Sequence, residues 1–166
     1  MPAAGLLAGC GGGTVAPQRI PANENLVTKS DIRATAPNSP ERSLLQWWRA
    51  VQYGDLTVFL DFLSPSLRRE RTRDGRARSH LRLARGTFIP AKPEILSRDI
   101  NGNHATVYTR IYILQLVGAS RTYTTSFPQA FSFVRTGGTW GLVDDLYIQQ
   151  KANETAENLR RMRTDE

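Results

Sequence analysis

Apolar residues recur at helical spacing in the first patterned part of the chain. A helix is predicted to begin at Ser39-Pro40, because Ser39 can cap it and Pro40 suits its first position. The apolar positions that follow at helical spacing are Leu44, Leu45, Trp47, Trp48 and Val51. Gly54 then supplies a stop, so the pattern indicates one amphipathic helix.

Two further helical segments are predicted before the pattern changes. Asp55 can cap a short second helix that is too apolar to leave much of any face in water, so it should be buried on more than one side. Its apolar residues are Leu56, Val58, Phe59, Leu60, Phe62 and Leu63. Ser64-Pro65 repeats the cap-then-proline signature and begins a third helical segment that runs into an arginine-rich stretch.

After Lys92 the apolar residues alternate with polar ones, which predicts strands. The predicted strands are Pro93–Asp99, His104–Leu116, Arg121–Val134 and Thr139–Ile148, separated by turns rich in glycine. Helices followed by hairpin-linked strands predict an α+β fold, with N-terminal helices packed on a curved antiparallel sheet of four or more strands. The long strands favour bulges, and Pro128 should interrupt its strand at a bulge or an edge.

Length and composition limit the remaining possibilities. The 166 residues suffice for one domain, expected over residues 40–150, with a flexible tether over 11–39 and a polar tail or short helix over 151–166. A single cysteine excludes an intramolecular disulfide and a cysteine-rich zinc site, and His80 and His104 belong to no ligand array. No metal or other cofactor is expected.

The only cysteine follows a short aliphatic and small-residue motif. Leu7-Ala8-Gly9-Cys10 resembles the lipobox of bacterial lipoproteins, with residues 1–10 as a partial signal peptide. The resemblance implies cleavage before Cys10, lipidation of Cys10, and anchoring to the extracytoplasmic side of the membrane in the cell envelope. The alternative is a Gly/Ala-rich N-terminal tail in which the cysteine falls by chance.

The order of the segments resembles the NTF2-like superfamily, which includes SnoaL-like and ketosteroid-isomerase-like proteins. The resemblance covers residues 40–150 and rests on Gly54-Asp55, Ser64-Pro65, the turn-containing segment Asp99–Val107 and the final segment Gly137-Gly138-Thr139-Trp140-Gly141 to Leu146. It implies a cone whose sheet wraps the helices around a pocket. Gly141 stands where many relatives have a charged residue, a harmless departure if the position faces solvent.

Candidate pocket residues come from the strand alternation and from the first helix. Tyr108, Arg110 and Tyr112 share one face of their strand and line a pocket or, alternatively, face water. Trp47 or Trp48 forms a pocket wall or part of the core. Asp144 and its neighbour point to opposite faces, so they cannot act as paired carboxylates, and Asp144 is a pocket base or a structural carboxylate. No residue is assigned as catalytic.

The net charge of +7 is concentrated in one stretch. Eight arginines between Arg68 and Arg85, against Glu70 and Asp74, carry +6 of it. The residues expected to contact an anionic lipid or envelope polymer are Arg68, Arg69, Arg71, Arg73, Arg76 and Arg78. The alternative is a solvated helix face. Nucleic-acid binding is not expected, because the basic residues are neither spread over a surface nor interleaved with aromatic residues.

Three functions follow from the resemblance. The first is a non-enzymatic envelope lipoprotein that binds a small apolar ligand or a protein partner. The second is a SnoaL- or isomerase-like enzyme with a pocket carboxylate and tyrosine donors. The third is an accessory subunit of an envelope secretion or transport assembly, in which homodimerisation through an exposed sheet face would be expected.

Overall fold

The computed structural model describes residues 26–73, 75–89, 91–117 and 120–144. Cys10, most of the predicted tether and the tail 151–166 lie outside the described residues. The helices are α1 (Lys29–Arg33), α2 (Pro40–Tyr53), α3 (Leu56–Asp61), α4 (Pro65–Thr72) and α5 (Ala77–Phe88). The strands are β1 (Ala91–Asn101), β2 (His104–Val117), β3 (Ser120–Thr136) and β4 (Thr139–Leu142).

The helix ends follow the capping chemistry read from the sequence. The Ser39 hydroxyl accepts the N–H of Arg42 at 3.2 Å, and Asp55 Oδ1 accepts the N–H of Val58 at 3.1 Å. Gly54 ends α2 in the left-handed conformation, with φ of 74°, which an L side chain rarely adopts. These local interactions set the boundaries of α2 and α3 where the sequence predicts them.

The four strands form one antiparallel sheet in the order β1-β2-β3-β4, which confirms the predicted α+β class. Bulges occur between Ile95 and Ser97 and between Ile113 and Leu114. The predicted interruption at Pro128 is wrong, because β3 continues through Pro128, which lies opposite Arg110.

A cluster of aromatic rings joins the helices to the inner face of the sheet. Trp48 lies edge-to-face on Phe88 of α5, with ring centroids 4.3 Å apart, and contacts Phe131 of β3 at 6.0 Å. Trp47 packs on Phe59 of α3 and on Phe88, at 6.1 and 5.4 Å. Both tryptophans are fully buried. The pair therefore connects α2, α3, α5 and β3 in one core.

Buried Gln52, near the end of α2, ties three backbone segments together. Its Oε1 accepts the N–H of Val27 at 2.9 Å. Its Nε2 donates to the carbonyls of Phe88 and Ala91, at 3.1 and 3.0 Å. Trp48 Nε1 donates to the same Ala91 carbonyl at 3.2 Å. These bonds hold the N-terminal segment and the junction of α5 with β1 against α2.

The packed domain begins earlier than the predicted boundary at residue 40. Val27 is buried in the core, and α1 contacts α2, so the tether predicted over residues 11–39 is too long at its C-terminal end. α1 begins with a capping box, in which the Thr28 hydroxyl accepts the N–H of Asp31 and the Asp31 carboxylate accepts the N–H of Thr28. Leu26 and Val27 stand side by side between polar stretches, so they give no periodic apolar signal in the sequence.

Gly141 of β4 lies against backbone rather than solvent. A Cβ at this position would lie 2.8 Å from the backbone Cα and N of Ser64. The close approach allows Ser64 N–H to bind the Leu142 carbonyl and Leu142 N–H to bind the Phe62 carbonyl, both at 2.8 Å. The short strand β4 is thus joined to the α3–α4 connection as well as to β3.

Two glycine substitutions should have opposite effects on stability. Gly141→Ala should lower the free energy of unfolding by about 1–3 kcal/mol, because its methyl group meets backbone that can only move by breaking the bonds around Ser64. Gly86 lies on the exposed side of α5 with open space around it. Gly86→Ala should therefore raise the free energy of unfolding by about 0.5–1 kcal/mol, because alanine has the higher helix propensity. Urea unfolding measures both, and a neutral Gly141→Ala would contradict the close approach.

Replacing Gln52 by leucine should destabilise the fold despite the added apolar surface. The change leaves the Val27 N–H and the Phe88 carbonyl without the bonds that Gln52 supplies, and an unpaired buried polar group costs about 1–3 kcal/mol. Hydrogen exchange should show faster exchange of the Val27 amide. Unchanged stability and exchange would mean that Gln52 does not hold the N-terminal segment.

Asp31 should contribute an acid-sensitive part of the stability. Burial acts to raise the pKa of Asp31, but the hydrogen bonds from Thr28 and the nearby charge of Lys92 leave the pKa lowered overall. The ionised form therefore stabilises α1 above the ordinary carboxyl pKa, and this contribution is lost as the pH falls through the lowered value. Asp31→Asn should reduce the difference in unfolding free energy between neutral and acidic pH, and an unaltered difference would contradict the capping role.

Candidate functional site

The strongest concentration of unpaired charge in the described residues lies on the outer side of α4 and α5. α5 turns an apolar stripe toward the core, and α4 turns Leu67 inward. The buried positions of α5 are Ala77, Leu81, Ala84 and Phe88. Because these four recur at helical spacing, the arginines between them must face outward.

We give the name basic face to four exposed arginines at the end of α4 and on α5. Arg69 and Arg73 at the end of α4, and Arg78 and Arg82 on α5, are exposed. None of the four forms an ion pair with any residue in the part of the chain that the structure describes. Arg68 differs, because its guanidinium lies 3.2 Å from the Asp61 carboxylate. The basic face therefore carries four charges that are not neutralised by neighbouring carboxylates.

The predicted contact set needs correction at Arg71. Its side chain is buried rather than exposed, and its Nη1 lies 2.9 Å from Glu70 Oε1. A residue whose guanidinium is held inside the fold cannot reach an external anion. Arg76 is exposed and precedes α5 as its N-cap residue, where it has interactions of its own.

Two large apolar side chains are exposed near these arginines, one on α5 and one at its C-cap. Leu83 is 53% exposed and Ile89 is 39% exposed. Arg78, Arg82 and Ile89 lie along one stripe of α5, and Leu83 lies on the adjacent outer stripe. The contact set predicted from the sequence ends at Arg78 and omits Arg82, Leu83 and Ile89. The apolar spacing from Ala77 to Phe88 is the sequence signal that indicates which side of α5 faces solvent.

Arg85 extends the arginine stripe but has a structural role. Its Nε donates to the Gln52 carbonyl at 3.2 Å, at the C-terminal end of α2. A cation at this position interacts favourably with the negative end of the helix dipole. Arg85 therefore helps to hold α5 on α2, and it is not counted in the basic face.

The predicted pocket residues are not brought together around one cavity. Trp47 and Trp48 lie in the core, where they fill the space between α2 and the sheet. Tyr108 and Arg110 lie on the opposite, water-facing side of the sheet. Asp144, near the end of the described residues, is exposed. The interpretation of Tyr108, Arg110 and Tyr112 as residues of the water-facing side agrees with this arrangement, and the pocket interpretation does not.

A small polar network lies on that open side of the sheet. Tyr112 Oη donates to Glu94 Oε2 at 2.8 Å, and Arg110 Nη1 lies 3.6 Å from the same oxygen. Hydrogen bonding to Tyr112 and the nearby negative charge of Glu94 raise the pKa of Arg110 further above its already high ordinary value. The network links facing positions on β1 and β2, which is a usual way to stabilise an exposed antiparallel pair.

Other kinds of site find no support in the described part of the chain. It contains no group of three or more His, Cys, Asp or Glu side chains placed to hold a metal ion. None of the described helices is long and apolar enough to cross a membrane.

Comparison with known proteins yields similarity only to solved structures. No family model and no curated protein matches the chain. A SEC-C motif containing protein from Rhodopseudomonas palustris, with a solution structure, is 16% identical, with a TM-score of 0.48 over 68% of this chain and 80% of that one. The crystal structure of a SEC-C motif containing protein from Psychrobacter arcticus is 10% identical, with a TM-score of 0.44 over 67% of this chain and 62% of that one. Similarity at this level extends no function to this chain.

The identification as a bacterial lipoprotein with an NTF2-like domain is wrong. The structural neighbours are SEC-C motif containing proteins, and no family model or curated protein supports a lipoprotein. The three functions that followed from it are also wrong: the envelope-lipoprotein binding module, the SnoaL- or isomerase-like enzyme, and the accessory subunit of an envelope assembly. The chain is similar in structure to SEC-C motif containing proteins from two bacteria.

Proposed function

We propose that this protein binds anionic lipid surfaces peripherally and reversibly through the basic face of α4 and α5. One observation carries the proposal: Arg78 and Arg82, without ion pairs in the described residues, share the outer side of α5 with exposed Leu83 and Ile89. A helix that presents cations and large apolar side chains together is typical of segments that lie in a membrane interface.

The expected strength of binding follows from the charges available. Each Arg near an anionic bilayer surface contributes about 1 kcal/mol, so the four of the basic face supply about 4 kcal/mol before the cost of immobilisation. Such binding is weak, reversible and sensitive to salt, because exposed charges are screened over about 10 Å at 0.1 M ionic strength. Insertion of Leu83 adds a contribution that salt does not screen.

A lipid surface fits the basic face better than a nucleic acid does. Binding of single strands uses exposed aromatic rings on which bases stack. The only phenylalanine, tyrosine or tryptophan in the sequence of α4 and α5 is Phe88, which is buried in the core. The exposed side chains of Leu83 and Ile89, by contrast, can be buried among acyl chains, whereas a phosphate backbone offers them no apolar contact.

Vesicle flotation with the full 166-residue chain tests the proposal. The protein should float with vesicles that contain anionic phosphatidylglycerol and not with pure phosphatidylcholine vesicles, and the bound fraction should fall as salt rises. Arg78→Gln/Arg82→Gln should weaken partitioning by about ten- to thirtyfold, from the loss of about 1 kcal/mol per charge. Leu83→Ser should reduce the binding that persists at high salt.

The matched control is a double variant that loses the same two positive charges from the sheet instead of from α5. Arg110→Gln/Arg135→Gln removes two exposed arginines from the sheet and should weaken partitioning much less. Equal losses in the two double variants would mean that net charge, not the basic face, governs binding. No preference for anionic vesicles, or binding to duplex DNA in place of vesicles, would contradict the proposal.

A further inference from the structure

A second, separate feature of the helical layer is an open pocket of about 390 Å³ between α1, α2 and α3. It lies away from the basic face, and none of the four arginines of that face lines it. Its volume is at the lower end of the range for pockets that hold small organic molecules. Binding in this cavity is therefore independent of the function proposed for the basic face.

The cavity wall carries an excess of positive charge. Lys29 and Arg33 of α1 and Arg49 of α2 line it, and the single carboxylate in the lining is that of Asp55. That carboxylate is already engaged, since its Oδ1 accepts the Val58 N–H that begins α3. Three cations thus face one acid whose role is to cap a helix, and the wall favours an anion.

Arg49 is the cation of this wall whose guanidinium is held in place and still has a donor available for a ligand. Its guanidinium carbon lies 4.3 Å from the ring centroid of Tyr53, one helical turn further along α2. Stacking on an aromatic ring fixes the plane of a guanidinium and leaves its edge for hydrogen bonding. Its Nε is buried and has no hydrogen-bond partner among the described residues. A buried donor without a partner is uncommon in native proteins and calls for an acceptor.

Apart from the charged groups, Tyr53 and the amide of Gln46, the wall is apolar. Ile32, Ala50 and Val58 line the cavity between the charged groups. A bare inorganic anion would leave this surface without contacts, whereas a carboxylate attached to a compact hydrocarbon would bury it. A guanidinium recognises a carboxylate through two parallel hydrogen bonds, which fits Arg49.

From these observations we infer that the cavity of α1, α2 and α3 binds a small organic carboxylate with an apolar body. Arg49 binds the carboxylate, Lys29 and Arg33 add positive potential, and Ile32, Ala50 and Val58 contact the hydrocarbon. Alkyl and aryl carboxylates share this chemistry. The shape of the occupied cavity decides between them.

Isothermal titration calorimetry on the full chain tests the inference with three probes: octanoate, benzoate and inorganic phosphate. Saturable binding of octanoate or benzoate is expected, and the tighter of the two identifies the body as alkyl or aryl. Arg49→Gln should weaken it by at least about tenfold, the effect of losing a charge-assisted pair. Arg49→Lys, which keeps the charge and loses the planar fork, should bind with intermediate affinity.

The control is Arg42→Gln, a change of equal charge on the same helix at a residue outside this cavity, and it should leave binding unchanged. If Arg49→Gln does not fold, Lys29→Gln/Arg33→Gln tests the same site at exposed positions of α1 and should also weaken binding. No saturable binding of either carboxylate would overturn the inference. So would binding that the variants leave intact, or phosphate binding as tight as that of the carboxylates.

Discussion

The contact between Trp48 and Phe88 is the interaction on which the rest of the structure depends. The two rings lie edge-to-face at 4.3 Å, and Trp48 also reaches Phe131 on the sheet. Through this contact α5 can pack on α2 only with the stripe that ends in Phe88 turned inward. The arginines of α5 are then forced outward, so the aromatic core decides where the basic face lies.

Gln52 is the polar counterpart of that contact. By bonding Val27, Phe88 and Ala91 it holds the N-terminal segment and the start of the sheet against one end of α2. α1 follows Val27 directly, and α1 forms one wall of the cavity that contains Arg49. The two proposed binding sites, the basic face and the cavity, are thus positioned by groups buried between α2 and α5. Both lie on the helical layer, and the inner side of the sheet is filled by tryptophan and phenylalanine side chains.

Resemblance to a cone-shaped family failed because its motifs describe packing and turns rather than chemistry. Turns such as Gly137-Gly138 occur wherever a hairpin needs positive φ, here 59° and 85°. Trp140 in the final segment packs into the core and donates to the Asn38 carbonyl at 3.0 Å, a contact that depends on this chain's own N-terminal segment. The order of elements therefore predicted the fold class correctly and the family wrongly.

Local chemistry alone determined the helix caps at Ser39, Asp55 and Ser64, the hairpin turns and the alternation along β2, because these depend on neighbours within a few residues. Tertiary structure decided the rest. Packing buries Arg71 and Val27 and leaves Tyr108 on the solvent-exposed side of the sheet. It also places Gly141 against the backbone of Ser64. Each of these outcomes depends on contacts between residues far apart in the chain or on which side of an element meets a partner. A periodic pattern shows that an element has two sides, but only packing determines what each side touches.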